Sequence, residues 1–183
     1  MTDNDNTPTF VEDIHWRGKI WRQEFYATDT YDLIVPPYGI HAVCFTKDKQ
    51  ALFFKHIDGY NSLPGVGMNA GETPTKALAR EVMEEAAAKV MESDCIGYIK
   101  SWPIDDPGRM TYALRYWARV RVLDKKIKDP SKKSIGRVLA SLENAAEVLG
   151  WGDRGKLLID LAWQKYQKEV NTDVSVGVPT SHK

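Results

Sequence analysis

Leu63 to Ala88 reads LPGVGMNAGETPTKALAREVMEEAAA. A glycine-rich loop, residues 59–71, runs into Thr73-Pro74, where Thr suits a helix N-cap and Pro the first helical position. The spacing predicts a helix over about 74–91. At 100° per residue, Glu84 lies about 60° to one side of Glu81 and Glu85 about 40° to the other. Three carboxylates therefore share one sector, and Leu78, Val82, Ala86 and Val90 form a separate, core-facing sector beside it. Like charges at this spacing weaken a helix. Hard divalent cations such as Mg²⁺ take carboxylate oxygens while keeping water and phosphate in their other positions. The alternative is an ordinary solvated acidic face, and a Glu-Glu pair alone would favour it.

Outward from this segment, Gly39–Thr46 (GIHAVCFT) and Ala51–Lys55 (ALFFK), joined by the polar turn 47–50, predict a hairpin. Lys19–Tyr26 and Cys95–Trp102 predict further strands. Thr111–Val122 alternates, with Leu114, Tyr116, Ala118, Val120 and Val122 on one face and Arg115, Trp117, Arg119 and Arg121 on the other. Ser141–Leu149 predicts a capped helix and Asp153–Val170 a longer amphipathic one. The order implies an α/β sandwich with a mixed β-sheet and extra C-terminal helices. One domain over 15–170 is expected, between a flexible arm at 1–14 and a flexible tail at 171–183.

The chain has 183 residues, with 25 Lys+Arg against 25 Asp+Glu. Zero net charge gives no long-range field for a polyanion, so nucleic acid is not the expected partner. The basic stretch 109–133 leaves an RNA end open as an alternative. No apolar run is long enough to span a bilayer, and the polar, acidic start lacks the pattern of a secretory signal. Cys44 and Cys95 have no CxxC spacing and read as reduced, buried thiols, which predicts a cytoplasmic protein. The four histidines show no ligand spacing.

Glu72, Arg80, Glu81, Val82, Glu84 and Glu85 fall in the register of the Nudix box, and the segment resembles the Nudix hydrolases on these residues. At about 6% for each charged type, five fixed charges match by chance in about one window per million. The box spans Val66–Ala88, with Val66 and Ala87 where the family has glycine. A valine there must hold an ordinary backbone or carry strain, and Ala87 favours continued helix.

The resemblance implies a Nudix-type α/β/α sandwich and a Mg²⁺ (or Mn²⁺)-dependent diphosphohydrolase. Its substrate would be a small nucleotide, a nucleoside diphosphate linked to another moiety: a nucleoside triphosphate or something like ADP-ribose. Glu81, Glu84, Glu85 and the Gly65 carbonyl would hold the metal. Glu72 and Arg80 would support the site, and Glu81 or Glu84 would act as the base. A distant loop carboxylate is the alternative base, with Asp105, Asp106, Glu143 and Glu147 as candidates. Lys55 is read as a phosphate contact or an ordinary exposed lysine. Trp21, Phe25, Tyr26, Tyr60 and Trp102 are candidate stacking surfaces.

Two other functional readings stand beside the hydrolase. Val66 and Ala87 motivate a catalytically weak nucleotide-binding or sensor module. Cys44 would be the protonating group of an isoprenoid diphosphate isomerase. Trp16–Tyr31 is read either as an intersubunit strand of a homodimer or as the covered edge of a monomer.

Overall fold

The computed structural model describes residues 7–31 and 36–176. Its strands are β1 (Phe10–Trp16), β2 (Lys19–Ala27), β3 (Gly39–Thr46), β4 (Gln50–His56), β5 (Asn61–Ser62), β6 (Gly65–Gly67), β7 (Ala88–Pro103), β8 (Thr111–Val122) and β9 (Ser134–Ser141). Its helices are α1 (Pro74–Ala86), α2 (Leu142–Leu149) and α3 (Gly152–Val176). The strands form one sheet in the order β1-β2-β7-β8-β3-β4-β5, with β6 added to β3 and β9 to β4. The β3–β8 pair is parallel and the other pairs are antiparallel, so the sheet is mixed.

Both faces of the central strands are covered, which explains their near-continuous apolar sequence. On one face Ile40, Ala42, Cys44, Leu114, Tyr116 and Ala118 pack against Leu78, Val82 and Ala86 of α1. On the other, Val43, Phe45 and Trp117 pack with Leu158, Ala162 and Tyr166 of α3 and Ala145 and Leu149 of α2. The result is the expected α/β/α sandwich. The β8 alternation follows the sequence pattern, but its second face is not solvated: Trp117 is fully buried and Arg115 is 7% exposed.

Three boundaries differ from the sequence expectation. Phe10–Trp16, partly inside the expected flexible arm, pairs along its full length with β2. Two arm acids are tied down: Asp13 takes two bonds from Arg22 and Glu12 pairs with Arg154. The last helix continues to Val176, six residues into the expected tail. The rest of the expected arm and tail, residues 1–6 and 177–183, lies outside the described residues.

The third difference is the end of α1, at Ala86 rather than near 91. Ala87 adopts the left-handed conformation (φ 47°, ψ 48°), and its N–H caps the Met83 and Val82 carbonyls. The Ser134 hydroxyl donates to the Glu85 carbonyl and the Arg137 guanidinium to the Ala86 carbonyl. Distant β9 thus satisfies the helix end, and residues 88–90 leave to pair with β8. Left-handed backbone costs an alanine about 1 kcal/mol more than a glycine, whereas removing its buried methyl costs about the same. Ala87→Gly should therefore change stability by less than about 1 kcal/mol, and a Tm shift above about 5 °C in thermal unfolding would contradict that balance.

Candidate active site

The helix and the loop before it meet at two points. Arg80 Nε and Nη2 each bond Glu72 at 2.9 Å, and Glu72 also accepts the Asn69 N–H at 3.0 Å. These bonds hold the Glu72 carboxyl down at about 2, chiefly through Arg80. At the other end the Gly65 N–H donates to Glu85 Oε2 at 2.9 Å. Gly65 has φ 134°, and a Cβ there would lie 2.0 Å from the Ile40 carbonyl oxygen. The position admits only glycine. Its neighbour Val66 sits in extended β6 opposite Ile40, so the first departure from the box leaves the strand pairing in place.

Glu81 and Glu85 are 5% and 3% exposed, and Glu84 is half-buried. Burial pushes Glu81 up against the opposing pull of Arg80. Burial also raises Glu85, to about 8; Glu81 and Asp129 add to the rise, while the Gly65 N–H and Lys133 oppose it. Arg80 Nη1 contacts Glu81 and lies 3.4 Å from Glu84. Two desolvated carboxylates with few donors are unfavourable in water-poor surroundings unless positive charge accompanies them.

This donor set suits a hard divalent cation, because its oxygens are carboxylate and its unmet need is for charge. Among the described residues, no three acids, histidines or cysteines already converge as a ligand set. Arg80 instead draws Glu81 and Glu84 to itself, so a cation would compete with its guanidinium for them.

Asp129, in the loop between β8 and β9, was not among the sequence candidates for a distant carboxylate. Its charge reaches both Glu81 and Glu85. Burial works to raise its pKa. The N–H groups of Ser131, Lys133 and Ser134, each at 2.8 Å, and the Ser131 hydroxyl outweigh burial and hold it below its ordinary value. Asp129-Pro130-Ser131 carries an Asx-turn signature, the one local signal that marks it. Of the earlier candidates, Asp105 is taken by Lys19 at 2.9 Å.

Lys55 is exposed on β4, opposite Asn61 and Gly136, and shows no contact with the carboxylates. Cys44 is fully buried under α1, and burial drives its thiol far above its ordinary value. It is not placed to protonate a substrate.

A cavity of about 660 Å³ opens beside the loop. His41 lines it and is the β3 partner of Gly65. Of the stacking candidates, Trp21 and Tyr60 line it. Phe25 is core, Tyr26 stacks on Tyr98 at 5.0 Å, and Trp102 lies under the Lys100 ammonium.

The described residues thus form a mixed sheet between helices, with acids on one short helix locked to a glycine loop. The NUDIX domain family matches residues 35–160, and the chain belongs to the Nudix family. Its enzyme class is that of a Nudix-type diphosphohydrolase. A comparison with curated proteins gives no match.

Among solved structures, a mutant of the pyrophosphohydrolase BsRppH of Bacillus subtilis is similar, with TM-score 0.63 and 19% identity, over 81% of this chain and 92% of that one. A Nudix hydrolase from Nitrosomonas europaea is similar with TM-score 0.57 and 17% identity, over 72% and 90%. A MutT protein from Methanosarcina mazei Go1 gives 0.53 and 17%, over 74% and 99%. These likenesses support the fold. Among the described residues, no helix is long and apolar enough to cross a membrane.

Proposed function

We propose that the protein hydrolyses a nucleoside diphosphate linked to another moiety, using Mg²⁺ or Mn²⁺ on Glu81, Glu84 and Glu85 with the Gly65 carbonyl as a further ligand. The observation that carries this reading is the pair of desolvated carboxylates, Glu81 and Glu85, with Glu85 tied to the Gly65 loop. When bound, the cation would neutralise phosphate charge and polarise the attacking water. Glu72 and Arg80 hold the loop against the helix, which keeps the acids and the loop backbone in fixed relation. Glu81 or Glu84 takes the water's proton, and Asp129 is the loop carboxylate whose charge reaches both buried acids. The cavity beside Gly65 receives the nucleoside side of the substrate. Lys55, exposed on β4, would have to reach over to touch a phosphate. The buried thiols Cys44 and Cys95 fit a reducing, cytoplasmic setting.

Phosphate or nucleotide release from a panel of nucleoside triphosphates and ADP-ribose-like diphosphates, with Mg²⁺ or Mn²⁺, tests the reading. Glu84→Gln should lower turnover at least tenfold on whichever substrate is cleaved. Full activity in this variant would remove Glu84 from the site. Thermal stabilisation by a nucleotide with no product over long incubation would favour the binding module instead.

A further inference from the structure

The cavity beside the loop is lined by Arg17, Lys19, Arg109, Arg115 and Arg154, and no Asp or Glu lines it. Lys19 and Arg154 are neutralised from outside that lining, by Asp105 and Glu12. Arg115 is different. It is 7% exposed, and its Nη1 bonds only the Leu114 carbonyl at 3.0 Å and His41 Nδ1 at 3.2 Å. Burial and Arg115 hold His41 down at about 3, so the imidazole is neutral and brings no counter-charge. No carboxylate among the described residues pairs with Arg115; burial lowers its pKa to about 10, the Tyr38 phenol opposes that fall and the Arg154 cation adds to it.

A buried guanidinium without an anion is costly. Among the described residues, four buried side-chain polar atoms lack a hydrogen-bond partner. Three of them, Trp21 Nε1, Arg115 Nε and Arg154 Nε, belong to residues lining this one cavity. Each such orphan calls for an explanation, and three gathered around one cavity point toward it.

The other feature of the lining is aromatic. Trp16, Trp21, Tyr38, Tyr60 and Trp151 contribute to it, and Tyr38 and Tyr60 are about half exposed. Arg154 already stacks over Trp151 at 4.8 Å and Arg17 over Trp16 at 4.5 Å. The volume suits a nucleoside-sized ligand, and flat rings stack on such faces. The position is also right for one substrate to span both regions. Arg115 is the β8 partner of His41, which is the β3 partner of Gly65. Two strand spacings, about 10 Å, separate Arg115 from the loop that binds Glu85.

We propose that the nucleoside side of the substrate carries a negative charge of its own, a phosphoryl group separate from the cleaved diphosphate, and that Arg115 is the residue that selects it. This rests on the hydrolase reading for which end faces the carboxylates. A plain nucleoside would fill the cavity and leave Arg115 without its anion. A phosphoryl oxygen would accept from the guanidinium, in the charge-assisted geometry that arginine favours.

The test reads binding alone. The full chain, in EDTA, is titrated with adenosine, AMP and adenosine 3′,5′-bisphosphate, following fluorescence of the cavity tryptophans. The bisphosphate should bind at least tenfold more tightly than AMP, and Arg115→Gln should cut that advantage below threefold. Arg109→Gln, at an exposed lining position, should reduce it about threefold, and it serves if Arg115→Gln does not fold. Equal affinity for AMP and the bisphosphate in the parent protein would overturn the proposal. So would an unchanged preference in a folded Arg115→Gln or, if that variant does not fold, in Arg109→Gln. Because no turnover is read, a failed hydrolysis panel would overturn the hydrolase reading and leave this preference standing.

Discussion

Glu85→Gln is expected to stabilise the metal-free protein by about 2 kcal/mol at pH 8 while lowering kcat/KM at least 100-fold with Mg²⁺. The first effect follows from burial. Glu85 has a folded-state value near 8 against an ordinary 4.5. A raised carboxyl pKa means that the folded chain holds its proton where the unfolded chain has released it. Folded protein then binds more protons than unfolded between pH 4.5 and 8, so stability falls as pH rises through that window. The shift corresponds to a cost of up to about 5 kcal/mol above pH 8. Gln keeps an acceptor for the Gly65 N–H and removes the charge. Its new amide N–H₂ needs buried partners, which returns about 1–3 kcal/mol of that gain.

Glu81 is raised in the same direction, so the variant should retain a shallower decline with pH. Denaturant unfolding at pH 5, 6, 7 and 8, in EDTA, is the measurement. A variant no more stable than the parent at pH 8, with the same slope, would show that the Glu85 charge is already compensated. The loss of activity comes from removing one charged oxygen ligand from the metal platform, a change worth about 3 kcal/mol or two orders of magnitude in rate. Greater stability with less activity is expected where an acid is buried for function rather than for folding. Mg²⁺ should flatten the parent's decline with pH and not the variant's, since a ligand stabilises only the state that binds it.

The parts of this site written in local sequence were legible. Thr73-Pro74 marks where α1 begins, and 100° spacing places Glu81, Glu84 and Glu85 in one sector beside that of Leu78, Val82 and Ala86. Features fixed by distant partners were not. Alanine is a good helix former, so the sequence predicts a helix running on through Ala87. It stops because Ser134 and Arg137 of β9 cap the Glu85 and Ala86 carbonyls. Strand β9 carries no clear strand signal of its own, since its place comes from pairing with β4. Arg115 follows the β8 alternation to the face opposite Leu114 and Tyr116. Its surroundings become a cavity only through residues that the fold brings from elsewhere, Lys19 and Trp21 of β2, His41 of β3 and Arg154 of α3 among them. Asp129 meets Glu81 and Glu85 through the β8–β9 loop, which no periodicity in α1 can indicate.

Gly65→Ala should cost more than about 3 kcal/mol of stability and abolish measurable turnover. The added Cβ would sit 2.0 Å from the Ile40 oxygen, 2.6 Å from the His41 Cα and 2.9 Å from the Ile40 carbonyl carbon. All three are backbone atoms of a central, doubly covered strand, so no side chain can swing aside to relieve the contact. The φ of 134° adds strain for any residue with a Cβ. The cheapest escape is to peel β6 away from β3. That separates the Gly65 N–H from Glu85 and leaves its carboxylate buried with one donor fewer, which pushes its pKa higher still. Stability and site are lost through the same movement.

Gly67→Ala is the control, two residues along the same strand. Its Cβ would meet only the Tyr38 oxygen at 3.4 Å, with no left-handed backbone to strain. It should cost less than about 1 kcal/mol and keep turnover within about threefold. Paired denaturation and activity measurements on the two variants separate the readings. Equal losses in both would mean that the loop tolerates no side chain anywhere. Near-wild-type behaviour of Gly65→Ala would mean that β6 is not the fixed wall from which Glu85 takes its bond.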